Sequence, residues 1–287
     1  MNALVMNCSP VKTGATAEIA RIASEQLSGK YEVKSVCIDD YDFAFCKGCR
    51  KCHETAACVQ QDEAELLMAE IEKTDVILAV SPSYWADVPG QFKAFIDRCT
   101  PWCNTHEPYK AIPSGKKGYV IALRTGPSLR ECEKIIGTIE HFYGHLEIAC
   151  GGGLGLPSVE HKEDVAARRQ EIIDFCKAIV VIGSTVSGTI DRPLGSAHPD
   201  YPEMIYPINY GYVNGVFADD GEEQDVYVLG TDKPLERFEG RVIAVYHRTN
   251  DNEDKWVVSL DEKGYSDEEI LELVFFQEKY YEGRLIR

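Results

Sequence analysis

The chain has 287 residues, 44% of them hydrophobic, enough to bury a sizeable core as one large or two ordinary domains. Its net charge of −17 argues against nucleic acid and anionic membranes as partners. No stretch is apolar enough to span a bilayer, no basic segment leading into an apolar run opens the chain, and 11 cysteines in this setting read as thiols or metal ligands rather than a disulfide framework, so a cytoplasmic home is expected.

In chain order, apolar strand patterns at 3–7, 33–37, 76–80, 118–123 and 146–150 alternate with helical patterns at 15–28, 62–72, 89–98, 129–143 and 160–182. This alternation predicts an α/β domain with a doubly wound parallel five-stranded sheet. Gly183–Gly188 reads as a short flexible connector, and the expected domains are 1–187 and 188–287. The second segment carries a net charge of −12, against −5 for the first, and is rich in period-two strand patterns such as 225–229 and 241–246, closed by a helix near 266–282. The glycine run 151–155 leads to Pro157 rather than into a helix and reads as a loop.

The first strand runs into Cys8-Ser-Pro-Val-Lys-Thr-Gly-Ala-Thr16, a hydroxyl-rich loop that opens an amphipathic helix supported by Ile19, Ile22, Ala23 and Leu27. Loop hydroxyls and backbone N–H groups that converge on a helix N-terminus favour a dianion. The loop lacks both the Gly-Lys-Ser/Thr of a triphosphate site and the three glycines of a dinucleotide site, which leaves a single terminal phosphate or an ordinary capped turn. After the strand at 76–80, Pro82 and Ser83 permit close backbone approach, and Tyr84 and Trp85 offer flat apolar faces. These loops and Arg124–Pro127 would meet at the carboxyl edge of the sheet.

The loop Ser9-Pro-x-Lys12-x-Gly14-x-Thr16, together with Ser81-Pro-Ser-Tyr-Trp85 and Val88-Pro-Gly-Gln-Phe-Lys-Ala-Phe-Ile-Asp-Arg98, resembles the NADPH-dependent FMN reductase family, flavodoxin-like proteins that include the iron–sulfur flavoproteins. The resemblance implies FMN, held by Ser9, Lys12, Thr13, Gly14, Ala15 and Thr16 at its phosphate and by Pro82, Ser83, Tyr84, Trp85, Thr125 and Gly126 around its ring. It departs from the family at Cys8, usually Gly, at Val11, usually Arg, and at Ala15, often Asn. NAD(P)H and a small-molecule or protein electron acceptor are the implied partners, in a homo-oligomer; no obligatory acid or base is assigned.

Cys46-x2-Cys49-x2-Cys52-x5-Cys58 places four thiols within thirteen residues. Three readings stand for them: a [4Fe–4S] cluster, as the compact cysteine motif of the iron–sulfur flavoproteins implies, free or redox thiols, and zinc. The second segment resembles soluble inorganic pyrophosphatases in Tyr206–Tyr212, Asp220–Val226, Glu253–Lys255 and Phe275–Tyr280, which implies a small OB-like barrel with a C-terminal helix. Asp220, Glu222, Asp225 and Asp254 are the expected Mg2+ ligands, with Glu253 an alternative to Asp254, and Lys255, Arg248, Tyr206 and Tyr210 the donors to a diphosphate. The pattern departs from the family at Glu222, usually Asp, in the Asp-x-Lys pair near Lys255, in the order Lys279-Tyr280, and in a shortened stretch at 190–199. Two functions follow: an FMN-dependent oxidoreductase with an appended module of doubtful activity, or a Mg2+-dependent pyrophosphatase carrying a flavodoxin-like sensor or scaffold.

Overall fold

A computed structural model describes residues 1–218, 220–251 and 253–287, which divide into two compact units, Met1–Lys177 and Ala178–Arg287. The first unit is built on β1 (Asn2–Asn7), β2 (Glu32–Cys37), β3 (Val76–Pro82), β4 (Lys117–Leu123) and β5 (Ala149–Leu156). All pairings are parallel, in the order β2-β1-β3-β4-β5. That is the flavodoxin-like order, whose switch point lies between β1 and β3. The strands read as apolar runs because both faces are covered: Ala3, Leu4, Val5, Ile77, Leu78, Ala79, Val120 and Ile121 are fully buried.

The covering helices are α1 (Ala15–Leu27), α3 (Ala64–Lys73), α4 (Gly90–Arg98), α5 (Arg130–His145) and α6 (Arg169–Val181), with a single turn, α2 (Cys52–Thr55), inside the cysteine segment. Each is amphipathic for a packing reason. In α1 the buried stripe is Ile19, Ile22, Ala23 and Leu27, and full burial of one such aliphatic side chain contributes about 1.5–3 kcal/mol. The glycine run at 151–155 is part of β5 rather than a loop. Side chains at Gly153 and Gly155 would collide with Ile136 and with Cys132 and Leu129, so the missing Cβ atoms let α5 lie close against an edge strand.

The second unit contains β6 (Thr185–Arg192), β7 (Asn209–Phe217), β8 (Glu223–Leu229), β9 (Arg237–Arg248), β10 (Lys255–Ser259), α7 (Asp267–Glu278) and β11 (Gly283–Ile286). The order β10-β8-β7-β6-β9 is closed by an antiparallel β9–β10 pairing, which makes a five-stranded barrel. Its core joins Tyr206, Ile208, Tyr210, Tyr227, Ala244, Tyr246 and Val257 to Ile270 and Val274 of α7. Ser266 caps α7 through a capping box with Glu269.

Two sequence expectations are corrected here. The connector expected at 183–188 is largely strand: Gly183 turns with φ +85°, and the β-branched Thr185 and Val186 then enter β6, which pairs with β9. The closing helix stops at Glu278 instead of running to 282, because Gly283 starts β11, which adds to β9. Among the described residues no helix is long and apolar enough to cross a membrane.

A steric test follows from Gly118 in β4, where a Cβ would meet the ring of the fully buried Tyr143. Gly118→Ala should lower stability by about 1–3 kcal/mol through overpacking, seen as a reduced urea midpoint for the first unit.

Candidate functional site

The loop from Cys8 to Gly14 is shaped by its own buried polar groups. The Asn7 side chain accepts from Ser9 N–H at 3.0 Å and donates to the Val11 carbonyl at 3.1 Å, and Ser9 Oγ accepts from Val11 N–H at 3.1 Å. The Cys37 thiol donates to the Ser9 carbonyl at 3.2 Å. Ser9 therefore builds the loop from below. Gly14 is the N-cap of α1 and supplies no side chain to its amides, while Ala15 and Thr16 are buried in the first turn. An N-terminus left open in this way presents N–H donors and the positive end of the helix dipole. Lys12 is turned away from it, to Asp40 at 2.7 Å and Asp39 at 3.5 Å, and Thr13 is exposed.

Beside it, Cys8 N–H donates to the Val80 carbonyl, which holds the first loop against the end of β3. There Ser83 donates from its backbone to the Leu123 carbonyl and from Oγ to Glu131 at 2.8 Å, and Glu131 also pairs with Arg124 at 3.2 Å. Tyr84 and Asp87 close a tight turn through reciprocal backbone hydrogen bonds, with Trp85 and Ala86 at φ +56° and +58°. This is the hairpin-turn conformation that glycine and asparagine favour; a bulky residue adopts it only under strain. Trp85 is fully exposed there, an aromatic side chain presented at the carboxyl edge. Pro82 ends β3, and Thr125 and Gly126 follow β4 on the same edge.

The four cysteines of the compact motif line one depression together with Arg98 and Thr100. Burial, and after it the nearby Cys58, Cys46 and Cys49, push the Cys52 thiol up, so the other three sulfurs lie within electrostatic reach of Cys52. The segment is held in an unusual path: Gly48, Arg50 and Ala56 all have left-handed φ. What fixes it is Arg98, the last residue of α4, whose side chain is 1% exposed. Its guanidinium grips Asp62 through two nitrogens at 2.6 and 2.9 Å, donates to the carbonyls of Ala44 and Gln60 at 2.7 and 3.1 Å, and also contacts Cys58. Against the opposing effect of its burial, Asp62 is held below the usual carboxylate range by Arg98 and by the N–H groups of Ala44 and Ala64.

In the second unit Asp225 accepts from Tyr210 and pairs with Lys255, and Lys255 also reaches Glu253 at 2.5 Å. Burial, followed by its contact with Asp225, pushes Glu253 up to about 7, whereas Asp225 is held below its ordinary value, burial being outweighed by Lys255. Asp191 lies nearby and is pushed up, first by burial and also by Asp225; Arg192 contacts Tyr206.

The four expected Mg2+ ligands are not gathered around one point. Asp220 accepts from Glu222 N–H at 2.9 Å, and Asp254 is turned to His247 at 2.8 Å. Glu253 is the residue that stands beside Asp225. Arg248 is occupied by Glu278 at 2.7 and 2.9 Å and stacks on Tyr281. Among the described residues no three His, Cys, Asp or Glu side chains converge as ligands of a single ion.

The family model described as NADPH-dependent FMN reductase matches residues 1–131, and the one described as inorganic pyrophosphatase matches residues 190–273. An iron–sulfur flavoprotein of Archaeoglobus fulgidus is 32% identical over 175 residues, 59% of this chain and 76% of that protein. The chain belongs to the iron–sulfur flavoprotein family. An iron–sulfur flavoprotein of Clostridioides difficile is 32% identical over 98 residues, 33% of this chain and 44% of that one, so the chain spans less than half of that relative's length. A solved inorganic pyrophosphatase from Neisseria gonorrhoeae is 24% identical, covering 34% of this chain and 74% of that chain with a TM-score of 0.29.

Three residues of these networks, Arg98, Glu131 and Asp191, are not among those the sequence motifs single out for a role. Arg98 had a signal, an arginine ending a helix whose other inward positions, Phe92 and Phe95, are buried. Glu131 and Asp191 had none, because the contacts that place them at these sites, with Ser83 and Asp225, span 48 and 34 residues of the chain.

Two outcomes test these networks. Arg98→Met leaves Asp62 and two carbonyls without a cation and should destabilise the first unit by about 3 kcal/mol, measured by urea denaturation. Since the folded state holds the Glu253 proton more tightly than the unfolded chain, its stabilising contribution is complete below pH 4.5 and is lost as pH rises through about 7. Glu253→Gln should flatten the fall in unfolding free energy across that window; parallel pH curves for the two proteins would contradict the assignment.

Proposed function

We propose that residues 1–187 form an FMN-dependent NAD(P)H oxidoreductase domain and that residues 188–287 form a pyrophosphatase-type module appended to it. The observation that carries this reading is the carboxyl edge at the β1/β3 switch point. An uncapped helix N-terminus there stands beside a strained aromatic turn, which suits a phosphate at one end and a flat ring at the other. Bound FMN would supply hydride acceptance and electron transfer to an acceptor, while the protein binds and orients it. In this reading the amides of Ala15 and Thr16 receive the phosphate. Asn7 and Ser9 hold the loop in place, and the Arg124–Glu131–Ser83 chain fixes the loop after β3 that would hold the ring. Lys12 contributes only by leaving Asp40, so its pairing tempers phosphate affinity.

The residues also suit a [4Fe–4S] cluster at Cys46, Cys49, Cys52 and Cys58, where a cluster would pass electrons singly. Four thiols around one depression, with Arg98 beside Cys58 to offset negative charge, are a donor set of the right chemistry. Arg98 belongs to α4, the helix that follows the aromatic turn, so both sites share one rigid element.

A second reading, diphosphate hydrolysis, is favoured by Asp225, Glu253, Lys255 and Tyr210 standing together in the second unit. Mg2+ is not well matched to the carboxylates as they stand, since Asp225 is neutralised by Lys255 and Asp220 and Asp254 are directed elsewhere. We therefore expect hydrolysis to be slow or absent, and no metal-assisted step is assigned.

FMN added to the cofactor-free protein should be bound with quenched fluorescence, and Thr16→Glu, which places a carboxylate in the phosphate nest, should weaken binding at least 100-fold. Absence of quenching by the unsubstituted protein would reject the flavin reading. After anaerobic reconstitution, iron and sulfide should reach about four each per chain; values near zero would leave free thiols or zinc. Brisk phosphate release from pyrophosphate with Mg2+, lost in Asp225→Asn, would overturn the expectation for the second unit.

A further inference from the structure

The C-terminal end of α5 carries two histidines that neither proposed site uses. His141 and His145 stand four residues apart, so both side chains lie on one face of the helix. Their Nε2 atoms approach to 2.9 Å, with ring planes at 82° and centroids 4.3 Å apart. This is a contact between nitrogens rather than a stack of faces. Neither ring has another hydrogen-bond partner among the described residues. His141 is exposed and His145 partly so.

A neutral imidazole offers one N–H and one lone pair, so in the free protein one ring donates from Nε2 and the other accepts. Replacing that proton by a cation needs little movement. Two nitrogens about 2.0–2.1 Å from a tetrahedral ion are about 3.4 Å apart, so the pair has to open by about half an ångström while the donating ring moves its proton to Nδ1. The turn beneath is already fixed from outside the helix. Asn104 N–H donates to the His145 carbonyl at 3.0 Å, and the Asn104 side chain donates to the Gly144 carbonyl at 3.4 Å. Anchoring of this kind reduces the ordering that binding requires.

We propose that His141 and His145 form a two-nitrogen chelate for a borderline divalent cation of the Zn2+, Ni2+ or Cu2+ class, with water completing the coordination shell. Imidazole pairs select such ions over Mg2+ and Ca2+, which prefer oxygen, and the net charge of −17 raises the local concentration of cations. The site is separate from the flavin edge. Glu131, in the first turn of α5, touches Ser83, and His141 and His145 lie near the other end of this 16-residue helix, about 15 and 21 Å away along its axis. It also has no residue in common with the four-cysteine depression.

The test uses the full chain, titrated calorimetrically with Zn2+ alongside His141→Gln/His145→Gln, which keeps every cysteine and replaces two helix-surface residues with good helix formers. The unsubstituted protein should bind one more equivalent than the double variant, and either single variant should bind that equivalent at least tenfold more weakly. Equal stoichiometry and affinity in all four proteins would overturn the site. Should the double variant fold poorly by circular dichroism, the ring resonances of the unsubstituted protein decide. Zn2+ should shift those of His141 and His145 among the seven histidines, and no shift at these two would overturn the proposal equally.

Discussion

The path of the cysteine segment in the first unit depends on one buried guanidinium. The strand-to-helix framework would form without Arg98, since β1 to β5 and their helices are assembled by apolar burial, but the segment from Ala44 to Asp62 has no such driving force. It contains a single helical turn, three left-handed residues and few buried side chains. Five contacts from one side chain, to Asp62, Ala44, Gln60 and Cys58, replace the missing core. Burying a cation is favourable only when its donors are met, and here a carboxylate and two carbonyls meet four of them. The arrangement of the cysteines is a consequence of this electrostatic anchor and not of the spacing motif alone.

The same economy appears at the carboxyl edge. Asn7 and Ser9 use their side chains on the loop itself, which leaves the amides of α1 without a cap. Trp85 and Ala86 are kept in a strained turn by the closing pair Tyr84–Asp87. Strain and unsatisfied donors are unfavourable for folding, and they stand together at the point where a doubly wound sheet binds ligands. In the second unit the balance is the reverse. Lys255, Tyr210 and Glu253 already satisfy Asp225, and Glu278 with Tyr281 already holds Arg248. A site whose charges compensate one another is stable without ligand and has correspondingly less to gain from a diphosphate.

Much of this was legible in the amino-acid sequence. The alternation of apolar runs with 3.6-period stripes determined the parallel sheet, because burial on both faces makes the central stretches 3–6, 76–80 and 120–123 of β1, β3 and β4 apolar and leaves a single buried stripe in α1. The hydroxyl-rich loop and the aromatic turn were identifiable from local chemistry, since each is contiguous in the chain with the strand and helix that it joins. The four cysteines were equally plain. Local chemistry misled where a residue's neighbours decide its state: Gly151–Gly155 became a strand because α5 needs the space, and Thr185–Ser187 became a strand because β9 offers a partner. Tertiary structure alone determined which carboxylate meets Asp225, turning Glu253 toward it and Asp254 toward His247, although the two are adjacent in sequence. It alone directed Lys12 to Asp40 and Arg98 to Asp62, because the energy of a charge depends on partners dozens of residues away, and no local pattern of residues encodes that distance.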